Sequence, residues 1–470
     1  MSATATTEKK YLKWYQKLAY GSGDLASNCS YGLVSSFVLL YLTGTLGLDS
    51  AIIGSLMLAS KVLDGISDVI FGTLIDRTHS KLGKARPWML FGQVGVSLCL
   101  FLLFAIPAGS TTMQYIYFFI VYTALNAVFY TANGIAYSSL VALITKNNNE
   151  RVQLGSFRFM FAVVTNIFMG FAVTGMVEKF GSGAAGWRTT ALIFAIVGLV
   201  VNTISCLAVK ELPEEELSGN TSEAAEEGKA VAEEKKHGFA ETAKILVHNK
   251  YYLIILAIYI VYYIMSNLTT GAGVFCATYY WGDGSLLGQF SMMKMFPVII
   301  ALAIAPVLIK KTGSMQKVNF WGYAISSVLG IPMIYFAMQK NLSMFLLFMF
   351  IKGIFAGTLS GSLNALIAEA SGYTTRTTGI HMDGMMYSCS SLGVKVGGGI
   401  GTAAVGWLLK LGGFVGTATV QSESAIRMIF NLYITFPFVI GIIITVLLAF
   451  LDVEKANKKW DAEHQKEAQA

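Results

Sequence analysis

Asp64 and Asp68 lie four residues apart in the apolar stretch 50–75, with Lys61 three residues before Asp64. At 3.6 residues per turn the three share one helical face. A carboxylate at membrane depth is costly unless partnered, so an acid pair held there marks a functional site. Hard monovalent cations take several oxygen ligands, and two carboxylates on one face begin such a set. The stretch is therefore expected to bind a cation, either Na⁺ at Asp64 and Asp68 or a proton on a buried carboxyl. A Lys–Asp cluster that only fastens helices together is the competing use of these residues. Buried ion pairs are weak sources of stability, which favours the cation.

Such residues need membrane helices to position them. Of the 470 residues 54% are hydrophobic and 13% charged, far more apolar surface than a soluble fold needs. Apolar stretches that each reach the ~20 residues needed to cross a bilayer fall at 21–46, 50–75, 88–107, 113–144, 154–178, 188–209, 251–280, 285–309, 318–338, 342–368, 380–410 and 425–451. The expected fold class is an all-α integral membrane protein with twelve transmembrane helices. If the N-terminus is cytoplasmic, the outer segments hold only Lys179, Arg188, Lys340, Lys410 and Arg427, and the basic residues of the other connections lie inside. That bias places a multi-pass protein in the inner (plasma) membrane with both termini cytoplasmic. The net charge of +7 then reports topology, and the expected partner is the lipid bilayer, with no nucleic acid. The polar, basic N-terminus leaves the first span to act as its own insertion signal. Five cysteines stand singly in apolar stretches, the pattern of small buried residues rather than of disulfides or a metal site.

From Lys210 to Lys250 the apolar periodicity stops, and Glu, Lys, Ala, Ser and Gly dominate, the composition of a flexible linker ending in a short amphipathic helix. The expected organisation is a cytoplasmic segment 1–20, a six-helix bundle 21–209, the linker 210–250, a second six-helix bundle 251–451 and a cytoplasmic tail 452–470.

Five motifs in this order carry a family resemblance: YGSGDLASN at Tyr20 to Asn28, KVLDGISD at Lys61 to Asp68, DRTHSKLGKARP at Asp76 to Pro87, NNNERVQLGSFR ending at Arg158, and YSCSSLGVKVGGGIG around Lys395. The chain resembles the glycoside, pentoside and hexuronide:cation symporters, the melibiose permease family of the major facilitator superfamily. The resemblance implies two six-helix bundles with the substrate held near the midplane, and cotransport of a sugar or glycoside with Na⁺ or H⁺ by alternating access. Position by position, it implies a cation site of Asp64, Ser67, Asp68 and Thr131, with Lys395 as the adjacent basic partner. Ser67 stands where melibiose permease has Asn, which leaves Na⁺ and H⁺ both open. Where that permease holds its galactoside with two carboxylates, this chain has Asn28 and Gly134, with Asn133 next door.

Loss of both acids speaks against galactoside recognition of that kind. Basic residues at membrane depth (Lys61, Arg158, Lys294, Lys352 and Lys395) outnumber the acids Asp64 and Asp68, a balance that would attract an acidic sugar such as a hexuronide. Arg158 and Lys395 are its expected contacts. Tyr31, Tyr130 and Tyr137 lie on spans expected to line the cavity and suit the apolar face and polar rim of a sugar. Asn364 is a further polar candidate, with bonding to a neighbouring helix as its alternative use. Asp76, Arg77 and Arg86, in the turn after the second span, are expected to latch one conformation by analogy with the superfamily. No metal-ligand spacing, catalytic constellation or phosphate-cradling loop is present, so neither an enzyme nor a cofactor is expected beyond the coupling cation. The expected function is import of a sugar or glycoside by cation symport. An uncoupled facilitator or sugar sensor, or an exporter of amphipathic compounds, is the competing reading.

Overall fold

The computed structural model describes residues 9–213, 239–380, 383–418 and 420–467, and among these every regular element is helical. In chain order they are α1 (Trp14–Gly21), α2 (Gly23–Leu40), α3 (Ser50–Asp76), α4 (Arg86–Leu103), α5 (Thr111–Thr123), α6 (Thr131–Ile144), α7 (Asn148–Lys179), α8 (Gly183–Leu207), α9 (Phe239–His248), α10 (Lys250–Phe275), α11 (Leu286–Thr312), α12 (Met315–Met338), α13 (Leu342–Thr378), α14 (Asp383–Leu411), α15 (Glu423–Phe430), α16 (Phe436–Phe450) and α17 (Val453–Glu467). Wider π-helical stretches at Tyr41–Thr45, Ala124–Tyr130, Cys276–Tyr280 and Asn431–Thr435 interrupt or extend them. Much of the linker expected at 210–250 falls outside the described residues; its end forms α9, where the short helix was expected.

Among the described residues, eleven helices are long and apolar enough to cross a membrane, so the chain is a multi-pass membrane protein. They correspond to the expected stretches with one exception, α3, which spans 27 residues but carries Lys61, Asp64, Asp68 and Asp76. In its middle the apolar residues nonetheless point away from the protein: Val62 is 62% exposed, Ile66 58% and Val69 74%, whereas Ser60 and Ser67 are buried; nearer its ends Ile53, Met57 and Ile75 are buried. A soluble amphipathic helix does the reverse. Side-chain caps set the starts: Asp49 accepts from Ala51 and Ile52 at α3, Asn147 from Glu150 at α7, and Ser314 from Lys317 at α12.

The chain divides into two compact units. The first gathers the described residues of Met1–Gly219, Ala277–Gly288 and Gly406–Ile426, and the second those of Asn220–Cys276, Gln289–Val405 and Arg427–Ala470. The division runs through the expected linker, but two segments that sequence places in the second bundle pack with the first. For the segment that begins at Gly406 the reason is close backbone contact. A Cβ at Gly406 would lie 2.2 Å from the Ser50 carbonyl oxygen, the Ser50 hydroxyl donates to the Gly406 carbonyl at 2.9 Å, and Lys410 pairs with Asp49 at 2.6 Å.

Each unit fastens a helix start with a glutamate from beyond its last long span. In the first, the Glu211 carboxylate follows α8 and accepts from the N–H groups of Lys84, Ala85 and Arg86 at 2.7, 3.0 and 3.0 Å, closing the N-terminus of α4. Gly83 makes room for it with φ +108°, since a Cβ there would lie 2.3 Å from the Glu211 carboxyl carbon. In the second, Glu454 follows α16 and accepts from Met315 and Gln316 N–H at 2.8 and 3.0 Å, and from the Ser314 hydroxyl, at the start of α12. A negative charge at a helix N-terminus compensates its dipole. The two units thus share one capping device.

Candidate functional site

α3 packs against α6 and the π-helical stretch before it, which brings Asp64 to Thr131. Lys61 Nζ lies 3.3 Å from Asp64 Oδ2, and the Thr131 hydroxyl donates to Asp64 Oδ1 at 2.7 Å. Thr131 Oγ1 also lies 2.9 Å from the Asn126 carbonyl oxygen, five residues back, a reach that the wider π turn provides. The side chains of Lys61 and Asp64 are only 17% and 14% exposed. Ser67 is buried and donates to the Asp64 carbonyl at 2.9 Å, which leaves its lone pairs for another ligand. Asp68 is half-buried one turn on. Among the described residues, no group of three or more His, Cys, Asp or Glu side chains gathers as a metal cage. Carboxylate and hydroxyl oxygens are what a hard monovalent cation takes, and a partly buried carboxylate is what a proton takes.

Two tyrosines border this acid. The rings of Tyr31 and Tyr130 stack with centroids 5.5 Å apart, and Lys61 Nζ lies 5.9 Å from the Tyr31 centroid.

Arg158 on α7 is held elsewhere in the first unit. Its Nε lies 2.6 Å from Asp24 Oδ2 on α2, and its guanidinium stacks 4.2 Å from the centre of the Tyr137 ring. Tyr137, 2% exposed, donates to the Tyr20 carbonyl at 2.8 Å, and the Tyr20 hydroxyl bonds back to the Tyr137 carbonyl. Asn28, one turn beyond Asp24, donates to the Asp24 carbonyl at 2.7 Å, and its Oδ1 accepts from Asn166 on α7 at 2.9 Å. At Gly134 an added Cβ would meet nothing within 4 Å, so the helix face is open there.

Asn133, expected beside the substrate, is only 2% exposed and faces inward. Its amide donates to the Met89 carbonyl on α4 at 2.7 Å, where Asn202 of α8 also donates at 2.9 Å. It fastens three helices. Of the expected latch residues, Asp76 and Arg77 are exposed, while Arg86 is buried and donates to the Cys206 carbonyl at the end of α8 at 3.2 Å. In the second unit, Lys395 is half-buried on α14, and Asn364 Oδ1 accepts from the Tyr259 hydroxyl at 2.8 Å, joining α13 to α10.

Sequence reasoning missed Asp24 as the partner of Arg158, and missed Asn166 and Asn202. For Asp24 a signal existed: an acid on a membrane helix requires a base, and Arg158 was already placed at membrane depth. The two asparagines carry no such mark.

A family model described as MFS/sugar transport protein matches residues 19–455. The isoprimeverose transporter of Lactiplantibacillus pentosus is 26% identical over 466 residues, covering 98% of this chain and 93% of the relative. The putative glycoside/cation symporter YagG of Escherichia coli (strain K12) is 24% identical over 444 residues, covering 94% of this chain and 92% of the relative. Among solved structures, a bacterial homologue of the human lysosomal transporter Spinster has a TM-score of 0.67 at 13% identity, over 95% of this chain and 98% of that one, a likeness of fold alone.

Proposed function

Because the chain belongs to the MFS/sugar transport protein family, we propose that it is a secondary active transporter importing a sugar or glycoside by symport with Na⁺ or H⁺ through alternating access. The observation that carries this reading is Asp64, a carboxylate bonded to Thr131 and Lys61 on a helix whose mid-length apolar residues Val62, Ile66 and Val69 face outward. In this reading α3 is the twelfth span, and the termini are cytoplasmic. The cation joins Asp64, Asp68, Ser67 and Thr131 in the first unit. Lys61 neutralises Asp64 while the cation is absent, so release of the cation does not strand a bare charge in a low-dielectric setting. Moving one charge across 100 mV is worth ~2.3 kcal/mol, enough to drive accumulation. In the first unit the sugar meets the Tyr31–Tyr130 stack and the open face at Gly134, near Asn28. Similarity to the isoprimeverose transporter and to the glycoside/cation symporter supports a sugar or glycoside as substrate.

Uptake of labelled glycosides into membrane vesicles, with and without an imposed Na⁺ or H⁺ gradient, tests the reading. Wild type accumulates substrate against its gradient only when an ion gradient is present, and Asp64→Cys or Asp68→Cys abolishes accumulation while retaining some binding. Concentrative uptake unchanged in both variants removes the cation-site assignment. Uptake that only equilibrates under every gradient makes the protein a facilitator.

A further inference from the structure

Partners account for part of the positive charge at membrane depth. Lys61 is paired with Asp64, and Arg158 with Asp24. Lys294 and Lys352 are different. Both line one cavity of about 190 Å³ inside the second unit, bounded by α10, α11, α12, α13 and α16, and no acidic side chain lines it. Among the described residues neither lysine has a carboxylate at ion-pair distance. Lys294 Nζ donates to the hydroxyls of Thr269 and Thr270, 3.2 Å each, but hydroxyls carry no counter-charge. Two ammonium groups half-buried within a membrane bundle and without an anion are expensive to keep.

The rest of the lining fits one kind of visitor. Ser266, Thr269 and the bonded pair Tyr262–Ser360 (2.8 Å) offer hydroxyls, while Met265, Met349 and Phe345 give apolar wall. A sugar ring presents apolar C–H faces and a polar rim, and this lining matches both. The volume is below the roughly 300 Å³ at which pockets for drug-sized ligands begin, so it admits one acidic ring rather than a whole disaccharide.

We propose that this cavity receives the acidic ring of the transported glycoside, a uronate-type carboxylate for which Lys294 and Lys352 are the counter-charges. The proposal rests on the sugar-transport reading above and narrows its substrate to acidic glycosides. Ligand binding neutralises the lysines, so an acid is preferred to its neutral analogue by more than ring contacts allow.

The test is thermal stabilisation of the purified full-length protein in detergent by 4-nitrophenyl β-D-glucuronide, 4-nitrophenyl β-D-glucoside and inorganic phosphate. The expected result is half-maximal stabilisation by the glucuronide at concentrations at least about tenfold below the glucoside, with no effect of phosphate. Lys294→Met and Lys352→Met, which keep length and apolar volume, each bring the half-maximal concentrations of the two glycosides to within about twofold of each other. Lys294→Arg and Lys352→Arg preserve it. Equal stabilisation by the two glycosides, stabilisation by phosphate alone, no stabilisation by the glucuronide, or a preference that survives Lys294→Met/Lys352→Met overturns the proposal. The assay needs no ion gradient, so failed gradient-driven uptake would remove symport and leave this result standing, whereas a glucoside-only response in a protein that still accumulates it would remove the acid site alone.

Discussion

The single proton of the Thr131 hydroxyl has two acceptors within reach, Asp64 Oδ1 at 2.7 Å and the Asn126 carbonyl oxygen at 2.9 Å. When no cation sits on Asp64 the hydroxyl donates to it. When a cation sits on Asp64, the hydroxyl can turn its proton to Asn126 and offer a lone pair to the ion. Thr131→Val removes both options and should raise the cation concentration for half-maximal uptake about tenfold or more, whereas Thr131→Ser should keep it within about twofold of wild type. Uptake rate against cation concentration checks this, and an unchanged value in Thr131→Val would take the hydroxyl out of the site.

Arg158 and Asp24 form a partly buried pair with side chains 25% and 17% exposed. Removing one partner leaves the other without its counter-charge, so Asp24→Ala should cost about 2–4 kcal/mol. Asp24→Ala/Arg158→Leu should be more stable than Asp24→Ala alone. Thermal unfolding in detergent measures both; a double variant less stable than Asp24→Ala would mean that the pair is not the structural unit described.

Gly83 and Glu211 are coupled because the glutamate occupies the space a side chain would need. Gly83→Ala should destabilise through the positive φ and through displacement of Glu211, and Glu211→Ala by about 1–2 kcal/mol through three lost N–H acceptor contacts. In Gly83→Ala/Glu211→Ala only the backbone part of the glycine effect remains, so the combined loss should be smaller than the two losses added. Melting temperatures of the three variants decide the point.

Asp49 carries a pH signature. Its partial burial raises the carboxyl pKa, but Lys410 and the N–H groups of Ile52 and Ala51 outweigh that and hold it below its usual value. A depressed carboxyl contributes stability that is present above the unfolded-state pKa of about 3.9 and is lost as pH falls through the folded-state value. Wild type should therefore melt above Asp49→Asn at neutral pH, and the gap should close as pH falls from about 5 toward 3. A gap that stays constant over that range would show that the charge is not what stabilises the contact.

Much of this architecture could be read from the chain because spans are written locally, in runs of apolar residues and in the basic residues between them. Lys61 and Asp64 were legible for the same reason, since three residues on a helix are neighbours. Thr131 reached the site only through family resemblance, as nothing local marks one threonine among many. Asn133 shows the limit of proximity in sequence: one step along a helix turns a side chain by about 100°, so the residue next door to Gly134 points at α4 instead. Asp24 and Arg158 belong to different helices 134 residues apart, and no periodicity encodes such a meeting.

The widened turn at Ala124–Tyr130 sets the rotational phase of everything after it on that span. Deleting one residue there, enough to restore ordinary winding, would swing the downstream half by about 100°. Thr131 would leave Asp64, Asn133 would leave Met89, and Tyr137 would leave Tyr20 in a single stroke. Ion handling and helix cohesion thus depend on a shared frameshift in three dimensions, so an ancestor without the insertion would have needed different partners at all three positions.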